Sequence, residues 1–98
     1  MDVQVIVDHC SADDMIDQMI EEAGELIQAC VKLKRAYRGT TPVSVIEARQ
    51  KFVEEMADVA VAQSVLMYGI MQPDELETML KTESEKAQRW QNRLMGGA

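Results

Sequence analysis

Two prolines, Pro42 and Pro73, do most to restrict what this 98-residue chain can fold into. Proline lacks a backbone donor and clashes with the preceding helical turn, so each one marks a boundary, and the long proline-free stretches around them are open to helix. Ser11 and Asp14 have capping-box spacing, and Asp13 and Asp14 suit the positive end of a helix dipole. Ile16, Ile20, Ala23, Ile27 and Val31 then recur at helical intervals. The pattern predicts a first helix from about Ala12 to Arg38, with Lys32, Lys34, Arg35 and Arg38 at its negative pole and Gly39, Thr40, Thr41 and Pro42 as its stop.

Ser44 and Glu47 repeat the capping spacing and open a second helix through Phe52, Met56, Val59, Ala60, Gln63 and Met67 to Gly69. From Val59 onward it is apolar on nearly every face, which predicts a central position. Pro73, followed by Asp74 and Glu75, opens a third helix to about Leu94, and Gly96 and Gly97 end the order, leaving 95–98 as a disordered tail. Residues 1–10 are ambiguous. Val3, Val5 and Val7 alternate as in a strand, but no second strand-like run exists to pair with them, so a short helix or an ordered arm fits as well. The expectation is a single all-α domain over 1–98, an antiparallel helical bundle of about three long helices plus a short N-terminal segment, completed by oligomerisation. So short a chain buries a modest fraction of its surface.

Composition narrows the function classes. With 17 acidic against 10 basic residues and a net charge of −7, the chain is a poor match for nucleic-acid polymers or anionic membrane surfaces. The most apolar stretch, 56–71, is interrupted by Asp58 and Gln63 and falls short of the ~18–20 residues of a spanning helix. Cys10 and Cys30 form no CxxC pair and read as reduced thiols, and the N-terminus lacks the basic start of a signal peptide, so a cytoplasmic protein is expected.

The chemistry-bearing pattern is a pair of acidic strings, EEAGE (Glu21, Glu22, Glu25) on the first helix and EEMAD (Glu54, Glu55, Asp58) on the second. Residues three apart on a helix lie roughly 60° apart around its axis, so Glu22 with Glu25, and Glu55 with Asp58, can aim at one point. Both pairs border apolar neighbours. Four carboxylates crowded there would raise one another's pKa values unless a cation neutralised them, and hard oxygen ligands select Mg²⁺, Mn²⁺ or Ca²⁺. A di-iron bundle would need Glu-x-x-His on two helices, and His9, the sole histidine, lies in no such motif.

On these residues the chain resembles the MazG-like all-α nucleoside triphosphate pyrophosphohydrolases, whose signature is EExxE followed by ExxD on the next helix. Glu21, Glu22 and Glu25 match the first element, Glu55 and Asp58 the second, and the likeness runs from about Asp8 through IEEAGELIQA and FVEEMADV to EKAQRWQNRL. The resemblance implies cleavage between the α and β phosphates of an NTP or dNTP, giving a monophosphate and pyrophosphate. Mg²⁺, with Mn²⁺ as a substitute, would be held by Glu22, Glu25, Glu55 and Asp58. Glu21 would either orient the attacking water beside Glu22 or be a solvated neighbour. Basic residues of the last helix would hold phosphates, which here means Lys86, Arg89 and Arg93, spaced to share one helix face or merely to solvate it. It also implies homodimers or homotetramers.

The base pocket is less legible: Phe52, Tyr37, Tyr68 and Trp90 suit the core or a subunit interface better than a base, as do Met15, Met19, Met56, Met67 and Met71. Two alternatives stand beside this reading, a phosphoribosyl-ATP pyrophosphatase and a non-catalytic helical module for oligomerisation or partner binding.

Overall fold

A computed structural model describes residues 1–97. Four helices follow in order, α1 (Gln4–His9), α2 (Ala12–Arg38), α3 (Val45–Gly69) and α4 (Pro73–Leu94), with no strand among the described residues. Their boundaries follow from local chemistry. The Ser11 hydroxyl accepts from the Asp14 N–H at 3.1 Å while the Asp14 carboxylate accepts from the Ser11 N–H at 3.3 Å, closing a capping box. Ser44 supplies half of the same arrangement, accepting from the Glu47 N–H at 3.1 Å. Before α4, the Glu75 carboxylate accepts from the Gln72 N–H at 2.8 Å.

The C-terminal stops of α2 and α4 use glycine in the left-handed region, Gly39 at φ 68° and Gly96 at φ 81°. Gly39 and Thr40 donate to the Ala36 and Arg35 carbonyls, and Gly96 and Gly97 donate to those of Arg93 and Asn92, which is the Schellman pattern. The start of the expected tail therefore caps α4, and Ala98 lies outside the described residues.

The ambiguous N-terminus resolves with a period of four. Val7 donates its N–H to the Val3 carbonyl, and both side chains turn inward onto Met15, Val65, Leu66 and Ile70, while Val5 faces outward. The alternation of valines was compatible with a strand, but one turn of helix places Val3 and Val7 on the same side.

The body of the fold is an antiparallel hairpin of α2 and α3. Met15 at the start of α2 lies against Gly69 at the end of α3, and Tyr37 at the far end of α2 accepts a hydrogen bond from Arg49 near the start of α3. The seam follows heptad spacing on both helices: Met15, Glu22, Ala29 and Ala36 are buried on α2, and Ala48, Glu55 and Ala62 on α3, with Gly69 continuing the series. Most of these side chains are small, so the two backbones run close together, and each buried glutamate is level with an alanine across the seam. A Cβ on Gly69 would come within 2.5 Å of the Met15 sulfur. The central position expected for α3 holds to the extent that both α1 and α2 pack on it.

Two expectations need correction. The isoleucine stripe that signals α2 is not the buried face: Ile16, Ile20, Ile27 and Val31 are exposed, Ile20 and Ile27 at 65%. Ile16 sits roughly 100° around the helix from Met15, so the larger apolar residues form a second face beside the small-residue seam. Nor do three long helices form a bundle within the chain, because α4 buries no residue. The chain exposes 7586 Å², against about 5,600 Å² for a compact monomer of its mass. Trp90, Tyr37 and Tyr68, expected in core or interface, are also solvent-exposed in the single chain.

Because the seam is lined by small side chains, Ala62→Leu will wedge α2 from α3 and lower stability by about 1–3 kcal/mol. Urea unfolding of the variant checks this, and an unchanged midpoint would mean that the seam lies elsewhere.

Candidate functional site

Hairpin register brings the two acidic strings together. Glu22, Glu25, Glu55 and Asp58 each offer a carboxylate oxygen, and these oxygens lie within 4.8 Å of one another. Glu22 and Glu55 point into the seam, at 9% and 2% exposure, while Glu25 and Asp58 are exposed at its rim. Each buried carboxylate is half satisfied. The Glu22 Oε1 accepts from the Gln18 side-chain amide at 2.8 Å, and the Glu55 Oε1 pairs with the Lys51 Nζ at 2.9 Å. The Oε2 atoms of both are buried without a partner, an unfavourable state for a carboxylate unless something positive reaches it.

Crowding shows in the proton affinities. Glu22 is pushed above the ordinary carboxylate value of 4.5, first by burial and then by the charges of Asp58, Glu55 and Glu21. Glu25 is also raised, chiefly by the charge of Glu22, then by burial, the charge of Glu55 and a hydrogen bond to Glu55 that only protonated Glu25 can donate. The Lys51 ammonium is held charged by its bond to Glu55, with Glu54 at 3.8 Å adding to it. Among the described residues, the ion pairs within salt-bridge distance all belong to Lys51.

Carboxylate oxygens are of the hard type that divalent cations take, and four of them would fill part of the six to eight positions around Mg²⁺ or Ca²⁺. Oxygens on opposite sides of Mg²⁺ are about 4.2 Å apart and around Ca²⁺ about 5 Å. The observed spread therefore needs only small adjustments of the exposed Glu25 and Asp58 side chains. Helix spacing and register together produce this convergence.

Two openings reach the cluster from opposite ends. Toward α1, a cavity of about 380 Å³ is lined by Ile6, Cys10, Met15, Gln18 and Val65 and reaches Glu22 and Asp58. Toward the α2–α3 joint, a notch of about 200 Å³ holds Glu25 and Glu55 with Gln28, Ala29, Lys32 and Lys51. Glu21 is exposed on the adjoining turn, close enough for its charge to act on Glu22 and Glu25.

The other residues singled out from the sequence are not brought here. Lys86, Arg89 and Arg93 gather with Trp90 in a shallow depression on α4, and no α4 residue lines either opening onto the acids. Sequence reasoning passed over Gln18 and Lys51. Each stands four residues before a buried glutamate, and that spacing was the available signal.

No helix among the described residues is long and apolar enough to cross a membrane. No family model, characterised protein or solved structure matches the chain.

Because Glu22 and Glu25 bind protons more tightly folded than unfolded, their stabilising contribution is fully present below about pH 4.5 and is lost as pH rises through their raised pKa values. In chelator, the melting temperature will fall across that window, and Glu22→Gln will make the fall shallower. A variant with the same slope as the wild type would show that Glu22 is not under this repulsion.

Proposed function

We propose that this chain is a Mg²⁺-dependent nucleotide pyrophosphohydrolase of the MazG-like kind, acting on NTPs or dNTPs. The supporting observation is the pair of buried, unpartnered Oε2 atoms on Glu22 and Glu55 at the centre of four converging carboxylates. An acidic cluster on a solvated surface leaves no such oxygens; here two are shut off from water within the group of acids. Glu22, Glu25, Glu55 and Asp58 would hold the ion, and Mn²⁺ would serve as a substitute. When bound, the ion supplies Lewis-acid activation and charge neutralisation.

The chain's own groups supply the rest. Water forms a bond to the α phosphorus, the bond from that phosphorus to the bridging oxygen breaks, and the bridging oxygen leaves with pyrophosphate carrying the electron pair. Glu21, exposed beside Glu22, would orient the water, and the proton that the water loses passes to solvent. The apolar cavity against α1 has room for a nucleoside end, and no protein nucleophile is needed.

The working particle in this reading is a homo-oligomer. The chain exposes about 2,000 Å² more than a compact monomer of its mass, and the isoleucine stripe of α2 and the outer face of α4 are part of that surface. That is ample for an obligate subunit interface. Lys86, Arg89 and Arg93 would then serve a neighbouring subunit's phosphates rather than their own.

The reading is tested by offering all NTPs and dNTPs with Mg²⁺ and measuring pyrophosphate separately from orthophosphate. Monophosphate plus pyrophosphate is expected, and Gln at Glu22, Glu25, Glu55 or Asp58 will lower turnover on the order of 100-fold or more with helicity retained. Orthophosphate alone overturns the assigned bond. Turnover confined to phosphoribosyl-ATP moves the substrate to the first alternative, and no heat of Mg²⁺ binding with no nucleotide-dependent stabilisation leaves a helical module. Light scattering will find a multimer that Ile27→Glu dissociates, whereas a monomeric wild type would remove the oligomer from the account.

A further inference from the structure

The two ends of the acid cluster are built to one plan and differ in charge. Gln18 and Lys51 occupy equivalent places, each four residues before a buried glutamate and each bonded to that glutamate's Oε1, at 2.8 and 2.9 Å. Gln18 is neutral and opens onto the cavity against α1, where Ile6, Met15 and Val65 form an apolar wall and no cationic side chain stands, Asp14 being the further acid there. Lys51 is cationic and shares its notch with a second cation, Lys32. The side chain of Lys51 is 56% exposed, so its ammonium reaches solvent while it touches Glu55. By contrast, Lys86, Arg89 and Arg93 lie in a separate depression on α4.

From this asymmetry we infer that Lys51, with Lys32 beside it, is the phosphate-binding element of the chain's own site, and that a nucleotide lies along the hairpin with its base end toward α1 and its β and γ phosphates in the Lys51 notch. The inference rests on the proposed pyrophosphohydrolase activity and adds to it the orientation of the substrate and two positioning residues. Lys51 is also the built-in counter-cation of the cluster. With Glu55 engaged by a divalent ion, the Lys51 ammonium would be free to hold a phosphate in the notch it shares with Lys32. Lysine is suited to this exchange, since it binds phosphate as a compact, movable point charge. As a positioning residue it also neutralises charge gathering on the departing pyrophosphate, whose bond to the α phosphorus is the one broken.

Lys51→Gln is the informative variant, because Gln18 shows that an amide in the equivalent place can hold a buried glutamate. Isothermal titration with Mg²⁺ alone, and with pyrophosphate in the presence of Mg²⁺, is compared for wild type, Lys51→Gln, Lys32→Gln and Lys34→Gln, the last as a control for net charge. Mg²⁺ binding should be unchanged or tighter in Lys51→Gln, because a competing cation has gone, while pyrophosphate binding falls about tenfold or more. In turnover, KM should rise in Lys51→Gln, and Lys34→Gln should match the wild type. Pyrophosphate affinity unchanged in Lys51→Gln but lost in the combined Gln variant of Lys86, Arg89 and Arg93 overturns the inference and leaves the pyrophosphohydrolase reading standing. A wild type that binds no Mg²⁺ overturns both.

Discussion

Close approach of α2 and α3 is the constraint on which the remainder depends. Ala29, Ala36, Ala48, Ala62 and Gly69 keep the seam narrow, and a narrow seam is what lets carboxylates from two helices come within 4.8 Å of one another. The same choice weakens the hairpin. Small side chains remove little apolar surface from water, and two of the buried places are taken by glutamates. The larger apolar residues that would stabilise a chain of this size lie on other faces, on the stripe of α2 and along α4. Geometry at the cluster and incomplete burial of the chain thus have a single cause.

Electrostatically the cluster is poised rather than settled. Glu22 and Glu55 each have one oxygen satisfied from their own helix and one buried without a partner, and among the described residues Lys51 alone supplies positive charge within bonding distance. Of the two, Glu22 is pushed toward its protonated form, by burial first and then by the charges of Asp58, Glu55 and Glu21.

Helix boundaries were legible in the sequence because capping is local: Ser11 with Asp14, Ser44 with Glu47, Gly39 and Pro73 act within a turn of where they stand. The four acids were legible too, since their three-residue spacing fixes a common direction on each helix. Which face of α2 turns inward was not. Ile16, Ile20, Ile27 and Val31 carry the stronger hydrophobic periodicity, whereas the seam is marked by residue size and by heptad spacing that includes a glutamate, a signal that hydropathy alone conceals. The placement of α4 was likewise beyond reach, because an amphipathic helix does not state which surface, of which chain, will cover it. Gln18 and Lys51 show a third limit: an i, i+4 pair ordinarily means a solvated helix surface, and only burial of the glutamate gives it weight.

The recurrence of one pattern on both arms of the hairpin, with Met15, Gln18, Glu22, Glu25, Ala29 and Ala36 answered in order by Ala48, Lys51, Glu55, Asp58, Ala62 and Gly69, amounts to an approximate dyad crossing the seam at right angles. A dyad has no direction of its own. Anything seated upon it would meet nearly the same surroundings whichever way round it entered, so polarity must be imposed by what breaks the symmetry. On this chain that is α1, which adds a largely hydrocarbon wall at one end, and the ammonium groups of Lys51 and Lys32 at the other, where the matching places hold Gln18 and Val65.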